Sequence, residues 1–267
     1  MASSNNIIVL FIFLLSTIAN AKSGTPGDEF LLIAEDLKKN MKPDSALIYY
    51  EKAAVEFQKQ NSIEKFVHSY NQIGVVLTRQ DKYEDAKKYL DKALSTGLAS
   101  LDSNNLTIAT TYISLGVVYN AEENYDQSLN YHFKALSIRL YKLGPYDSQV
   151  ATSYGNIGNV YRNKKDFDKS VEAHLKAMRI REHRFGATSA EIIDSYVGLG
   201  NAYRERKEYM LSLGYFEKAL NNKIIQRGEG HKDLSKYYKN ISEVYFLMGN
   251  NIQGDFYKTK SEDVIKG

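Results

Sequence analysis

No cysteine occurs among the 267 residues of this chain, and that absence removes disulfides, thiolate metal sites and thiol nucleophiles together. Stability must then come from packing. Proline is scarce as well, with only 3 in the chain, so long uninterrupted helices are open to the sequence. Strong charge of one sign is also missing. The formal net charge is +3 and the pI is near 8.7, short of the clustered cationic surface that phosphate neutralisation requires, so no nucleic-acid partner is expected. What is present, 43% hydrophobic and 25% charged residues, suits a mainly helical soluble protein.

The N-terminus differs from the rest. Ile7 to Ile18 is an almost unbroken apolar run, followed by Ala19-Asn20-Ala21, a small-x-small pattern of the kind signal peptidase cuts. The run is shorter than the roughly 20 apolar residues that span a bilayer. Residues 1–21 are therefore read as a signal peptide cleaved after Ala21, leaving Lys22 first in a secreted or periplasmic protein with no membrane association. An uncleaved anchor is the competing reading, because Met1 to Asn6 contains no Lys or Arg.

Beyond this segment the chain is periodic. Gly74, Gly116, Gly158 and Gly200 recur at an interval of about 42 residues. Tyr70, Tyr112, Tyr154, Tyr196 and Tyr238 keep that interval four residues ahead of the glycine position, and Tyr119, Tyr161, Tyr203 and Tyr245 keep it three residues behind. Each unit holds two amphipathic segments. The first reads Tyr-x-x-Ile/Leu-Gly-x-x-Tyr with apolar residues at helical spacing; after a polar turn such as Lys164-Lys165-Asp166, the second runs through Phe167, Ser170, Val171, His174, Leu175, Ala177 and Met178. A helical hairpin is expected. Gly158 and Ser170 lack bulk and should let the two backbones approach, with Tyr154, Tyr161 and Phe167 filling the space around them. Ala93, Ala135, Ala177 and Ala219 keep the same interval and should sit where one hairpin meets the next.

The strings NIGNVYRNKKDFDKSVEAHLKA and GLGNAYRERKEYMLSLGYFEKAL resemble the tetratricopeptide repeat consensus. The interval exceeds the usual 34, which is similar to the kinesin light chain type, and Gly144-Pro145-Tyr146-Asp147 and Gly230-His231-Lys232-Asp233 look like its inter-repeat turns. The resemblance implies an all-α fold, a right-handed α-solenoid of about six helical hairpins. After a short linker at 22–28, the array is expected over 29–266, with repeats at about 29–62, 63–104, 105–146, 147–188, 189–230 and 231–266. The last repeat carries Ser242 in place of the glycine and Gly254 in place of the small residue, and its final helix reads as a polar cap.

The resemblance also implies that the first helices line a concave groove that takes a peptide or protein. Mapping their exposed positions gives Asn71 in the second unit, Asn120 in the third, Asn156, Asn159, Arg162 and Asn163 in the fourth, Asn201, Arg204 and Glu205 in the fifth, and Lys236, Lys239 and Glu243 in the sixth. The lining is rich in amides. An amide both donates and accepts, so it can pair with the backbone of an extended ligand whatever its side chains are. Asn159 and Asn201 lead the candidates, and the cations read more simply as a solvated face. The set does not reproduce the two-Asn, Lys and Arg carboxylate clamp of chaperone-binding relatives.

Catalytic and metal roles find no footing. His132 and His174 occupy equivalent places on successive second helices, a helix-packing distance of about 8–10 Å apart, so they read as packing residues. Lys176, Arg179, Arg181 and Arg184 give one helix a basic end that complements its dipole. No phosphate loop, nucleophile elbow or diagnostic carboxylate pair occurs, so neither cofactor, metal nor enzymatic activity is expected. Two functions remain: an exported scaffold or adaptor holding a peptide or protein, and a sensory or recruiting module of a larger signalling or protease system.

Overall fold

The computed structural model describes residues 24–266. The expected signal segment at 1–21 lies outside the described residues, as does the start of the linker. Among the described residues there are twelve α-helices and one 3-10 turn at Lys232–Leu234, with no strand. First helices of the hairpins are α1 (Pro26–Lys39), α3 (Ile63–Arg79), α5 (Leu106–Ala121), α7 (Ser148–Asn163), α9 (Ile193–Glu205) and α11 (Ser235–Leu247). Each is followed by its second helix: α2 (Pro43–Lys59), α4 (Tyr83–Ser100), α6 (Tyr125–Leu143), α8 (Phe167–Phe185), α10 (Tyr209–Arg227) and α12 (Asn251–Lys266). The chain is an all-α solenoid of repeats.

Local chemistry sets the ends of these helices. Thr25 and Asp28 form a reciprocal capping box at the start of α1, with Pro26 at the first helical position. Asp147 caps α7 by accepting from the Gln149 backbone N–H at 2.8 Å. Gly144, Gly186 and Gly228 end α6, α8 and α10 with φ of 80°, 85° and 82°, a left-handed backbone that glycine adopts without strain.

The described residues fall into two compact units, 24–114 and 115–266, divided within α5. In the first, α1 packs on α2, α2 on α3 and α3 on α4. A core of Ala53, Ala54, Phe57, Phe66, Val67 and Ala93 forms there. Lys65 reaches back to Asp28 at 2.7 Å. In the second unit, α7, α9 and α11 pack with their second helices around Val150, Ile157, Ala177, Ile192, Phe216 and Ile241.

Inside each hairpin the glycine faces a ring or branched side chain of the second helix. Leu90 packs on Gly74, His132 on Gly116, His174 on Gly158 and Phe216 on Gly200. Tyr154 and Tyr161 pack against the surrounding core as expected, and the group seated on Gly158 itself is His174. In two of these four hairpins a serine one turn earlier adds a hydrogen bond. Ser128 Oγ donates to the Gly116 carbonyl at 2.7 Å and Ser212 Oγ to the Gly200 carbonyl at 2.8 Å. In the last hairpin the two residue types exchange places, and Ser242 on the first helix donates to the Gly254 carbonyl on the second at 2.7 Å. The polar cap is only partly so: α12 exposes Ile252, Phe256 and Ile265 among its charges.

Hairpins are joined to their successors by apolar and polar contacts together. Ala135, Ala177 and Ala219 are fully buried. The Arg139 guanidinium donates to the Gln149 carbonyl at 2.9 Å and to Ser153 Oγ at 3.0 Å, and Arg181 repeats the device by donating to Ser195 at 2.6 Å. Within one hairpin, Arg184 of α8 pairs with Asp147 at the start of α7 at 2.9 Å. Two cations at the basic end of α8, Arg181 and Arg184, are therefore tied to other elements, while Arg179 is exposed.

His174 is wedged between two helices, since a Cβ on Gly158 would lie 2.7 Å from its Nε2 and a Cβ on Gly198 of α9 would collide with the other side of the ring. Gly198→Ala should therefore cost about 1–3 kcal/mol. Gly214→Ala, where nothing lies within 4 Å, should gain about 0.5–1 kcal/mol by helix propensity. Thermal unfolding of the two variants checks both signs, and equal effects would contradict the wedge.

Burial also drives the pKa of His132 and His174 down to about 4, helped by Arg139 for the first and by Arg162 and Arg181 for the second. The unfolded histidines protonate near 6.5 while the folded ones stay neutral, so stability is lost as pH falls from 6.5 to about 4. The slope is about 1.4 kcal/mol per pH unit per histidine. Replacing His132 by Phe, the residue that the next unit but one carries as Phe216, should remove about half of the histidine-linked fall in melting temperature across that window, His174 keeping the rest.

Candidate functional site

The second unit sets α7, α9 and α11 in register as first helices, with α7 packed on α9. Side chains one helical turn apart fall on one face of each helix. On α7 that face carries Asn156, Asn159, Arg162 and Asn163; on α9 it carries Asn201, Arg204 and Glu205; on α11 it carries Glu243.

Two of the three steps across this face are closed by side chains. Asn163 Nδ2 donates to Asn120 Oδ1 at 3.1 Å, tying α7 to the end of α5. Arg204 donates to Glu243 at 2.8 Å, tying α9 to α11, and stands 3.7 Å from Glu205. Asn120 and Arg204, both expected as ligand contacts, are thus engaged within the protein. Between α7 and α9 this face has no such tie. Asn156, Asn159, Asn201 and Arg162 make no side-chain hydrogen bond or ion pair among the described residues.

These four differ in accessibility. Asn159 is exposed, while Asn156, Asn201 and Arg162 are half-buried. The Nε of Arg162 is fully buried and has no acceptor. Burial holds the Arg162 guanidinium below its usual pKa, offset in part by Glu205 and reinforced by Arg204. Free amides beside a half-desolvated cation can donate to and accept from an extended backbone.

Asn71 does not join this group. Expected on the exposed face of α3, it is 2% exposed, and neither of its amide atoms has a partner among the described residues. The cause is the width of the buried stripe: α3 packs on both α2 and α4 and buries Phe66, Val67, Ser69, Ile73, Gly74, Val76 and Leu77 besides. Helical spacing marks the apolar part of such a stripe and leaves a buried amide unmarked. The ties that occupy Asn120 and Arg204 are equally hidden in the sequence, although the Arg204–Glu243 pair has a signal in opposite charges about one repeat apart.

Elsewhere on the second unit, the turns after α7 and α9 border an open depression of about 760 Å³ whose lining is charged except for Phe167. Several of those charges are already paired. Lys169 pairs with Asp166 at 2.7 Å, and Arg206 with Glu208 at 2.8 Å and Asp168 at 3.3 Å. No group of three His, Asp or Glu residues able to hold a metal ion occurs among the described residues. No helix among them is long and apolar enough to cross a membrane.

The family profile described as tetratricopeptide repeat matches residues 66–140 and 149–224, more than half of the chain. No curated protein matches by sequence. Among solved structures, BtubC (BKLC) from P. vanneervenii superposes with a TM-score of 0.68 at 16% identity, covering 91% of this chain and 92% of that one. A putative kinesin light chain from Podosopora anserina, with nearly identical TPR-like repeats, gives 0.62 at 13% identity over 74% of this chain and 95% of that one. A Rap protein complexed with Competence and Sporulation Factor gives 0.63 at 14% identity over 90% of this chain and 64% of that one.

The burial of Asn71 can be tested directly. Asn71→Leu removes a buried amide that has no partner and should raise stability by about 1–2 kcal/mol in denaturant unfolding; a loss of similar size would mean the amide is satisfied in solution.

Proposed function

The chain belongs to the tetratricopeptide repeat family, and from that premise we propose that it is an exported, non-catalytic scaffold that holds a peptide or protein on the first-helix face of its second unit. The observation that carries this reading is the untied step between α7 and α9, where Asn156, Asn159 and Asn201 keep their amides free while the flanking steps are closed by Asn120–Asn163 and Arg204–Glu243. A free amide on each of two adjacent helices suits the alternating donors and acceptors of an extended chain. The similar Rap structure, complexed with Competence and Sporulation Factor, supports the use of such a repeat array for holding a partner. Export rests on the N-terminal apolar run and the Ala19-Asn20-Ala21 pattern alone.

The test is capture with the segment Lys22 to Gly267 and its variants. Asn159→Ala and Asn201→Ala should each cut recovery of a specific partner severalfold, and Asn120→Ala, whose amide is already engaged, should cut it less. Unchanged recovery with both single variants and the double variant would remove the face from consideration. N-terminal sequencing of the exported protein should begin at Lys22.

A further inference from the structure

Arg162 stands apart from the other cations on the first-helix face of the second unit. Arg204 is neutralised by Glu243 at 2.8 Å and Glu205 at 3.7 Å. Lys236 and Lys239 are exposed to water, which screens them. Arg162 is neither paired nor fully hydrated. It makes no ion pair or hydrogen bond among the described residues, and its Nε is buried without an acceptor. Glu205 is near enough to be felt electrostatically, but its contact within ion-pair distance is with Arg204.

A half-desolvated guanidinium without a counter-ion is costly to keep, and an anion that reaches it from solution recovers that cost in a medium of lowered dielectric. The guanidinium fork favours a carboxylate. We propose that Arg162 anchors the side-chain carboxylate of an Asp or Glu in an extended peptide segment whose backbone lies against Asn159 and Asn201; the proposal rests on the peptide-binding reading of this face. The depth of the cation selects the source of the carboxylate. Asn159, one turn ahead of Arg162 on α7, is exposed whereas Arg162 is recessed, so a backbone held against Asn159 reaches the guanidinium with an acid carried on a side-chain stem. A carboxylate ending the main chain is held higher.

The recessed Nε–H also supplies a probe. Its cross-peak in a 15N-labelled sample of Lys22 to Gly267 can be followed while three pentapeptides are added: acetyl-Ala-Ala-Glu-Ala-Ala-amide, its Gln analogue, and the Gln analogue with a free C-terminal carboxylate. The Glu peptide should move the Arg162 Nε–H and bind about tenfold tighter than the Gln peptide, the scale of a charge-assisted hydrogen bond. That advantage should vanish in Arg162→Gln, persist in part in Arg162→Lys, and survive Arg79→Gln on the first unit. The backbone spectrum of each variant reports whether it is folded.

Equal binding of the Glu and Gln peptides, an advantage that survives Arg162→Gln, or a response confined to the free C-terminus would overturn the anchor, as would no response to any peptide at millimolar concentration. The amide cross-peaks of Asn159 and Asn201 separate this from the underlying reading. If they move with the same midpoint for the Gln and Glu peptides, the face binds backbone and only the anchor falls; if Arg162 alone responds, the backbone contact is absent and the amide reading falls with the anchor as stated.

Discussion

The approach of two helices across a residue without a side chain is the constraint on which the rest of this protein depends. Gly74, Gly116, Gly158 and Gly200 each receive a side chain of the second helix, and the neighbouring serines at 128 and 212 bond to the glycine carbonyl itself. That contact fixes the distance and rotation of the two helices. Once those are fixed, α6 and α8 of the second unit meet the next hairpin through alanines and a repeated arginine, and α7 and α9 come to lie side by side. The last hairpin obeys the same rule with the residues exchanged: Ser242 and Gly254 swap helices and keep the bond.

From this geometry the binding face emerges as a remainder. Packing consumes two sides of each first helix, and the side left over carries Asn156, Asn159, Arg162, Asn201 and Arg204. Whether a residue on that side is available depends on its neighbours one repeat away. Asn120 is held by Asn163, and Arg204 by Glu243. The step from α7 to α9 has no such partner, so the residues there keep their hydrogen-bonding capacity for something outside the chain. No new kind of residue is needed at that step; the site is defined by the absence of an internal partner.

Much of the hairpin is legible in the sequence, because a glycine, a small residue and two aromatics repeat at one interval and each answers a packing need. His132 and His174 can be read as packing residues from their equivalence to Leu90 and Phe216. Their seats on Gly116 and Gly158 cannot, since a histidine at a helical apolar position fits several environments. The face is less legible. Asn71 and Asn159 are both asparagines of a first helix, yet Asn71 lies about one turn ahead of Gly74 and is enclosed on the buried side, whereas Asn159 directly follows Gly158 and faces solvent. Side-chain ties between hairpins depend on rotamers and reach, which periodicity does not encode. Arg162 reads in the sequence as one more solvated cation, and only burial of its Nε distinguishes it from Lys236.

Amide hydrogen exchange of the Lys22–Gly267 segment, free and saturated with a partner it captures, locates the face that carries the partner. Slowed exchange should concentrate in α7 and α9, over residues 148–163 and 193–205, with the second helices α8 and α10 little changed. Protection confined to α8 and α10, or to the first unit, would put the partner elsewhere and refute binding on the first-helix face.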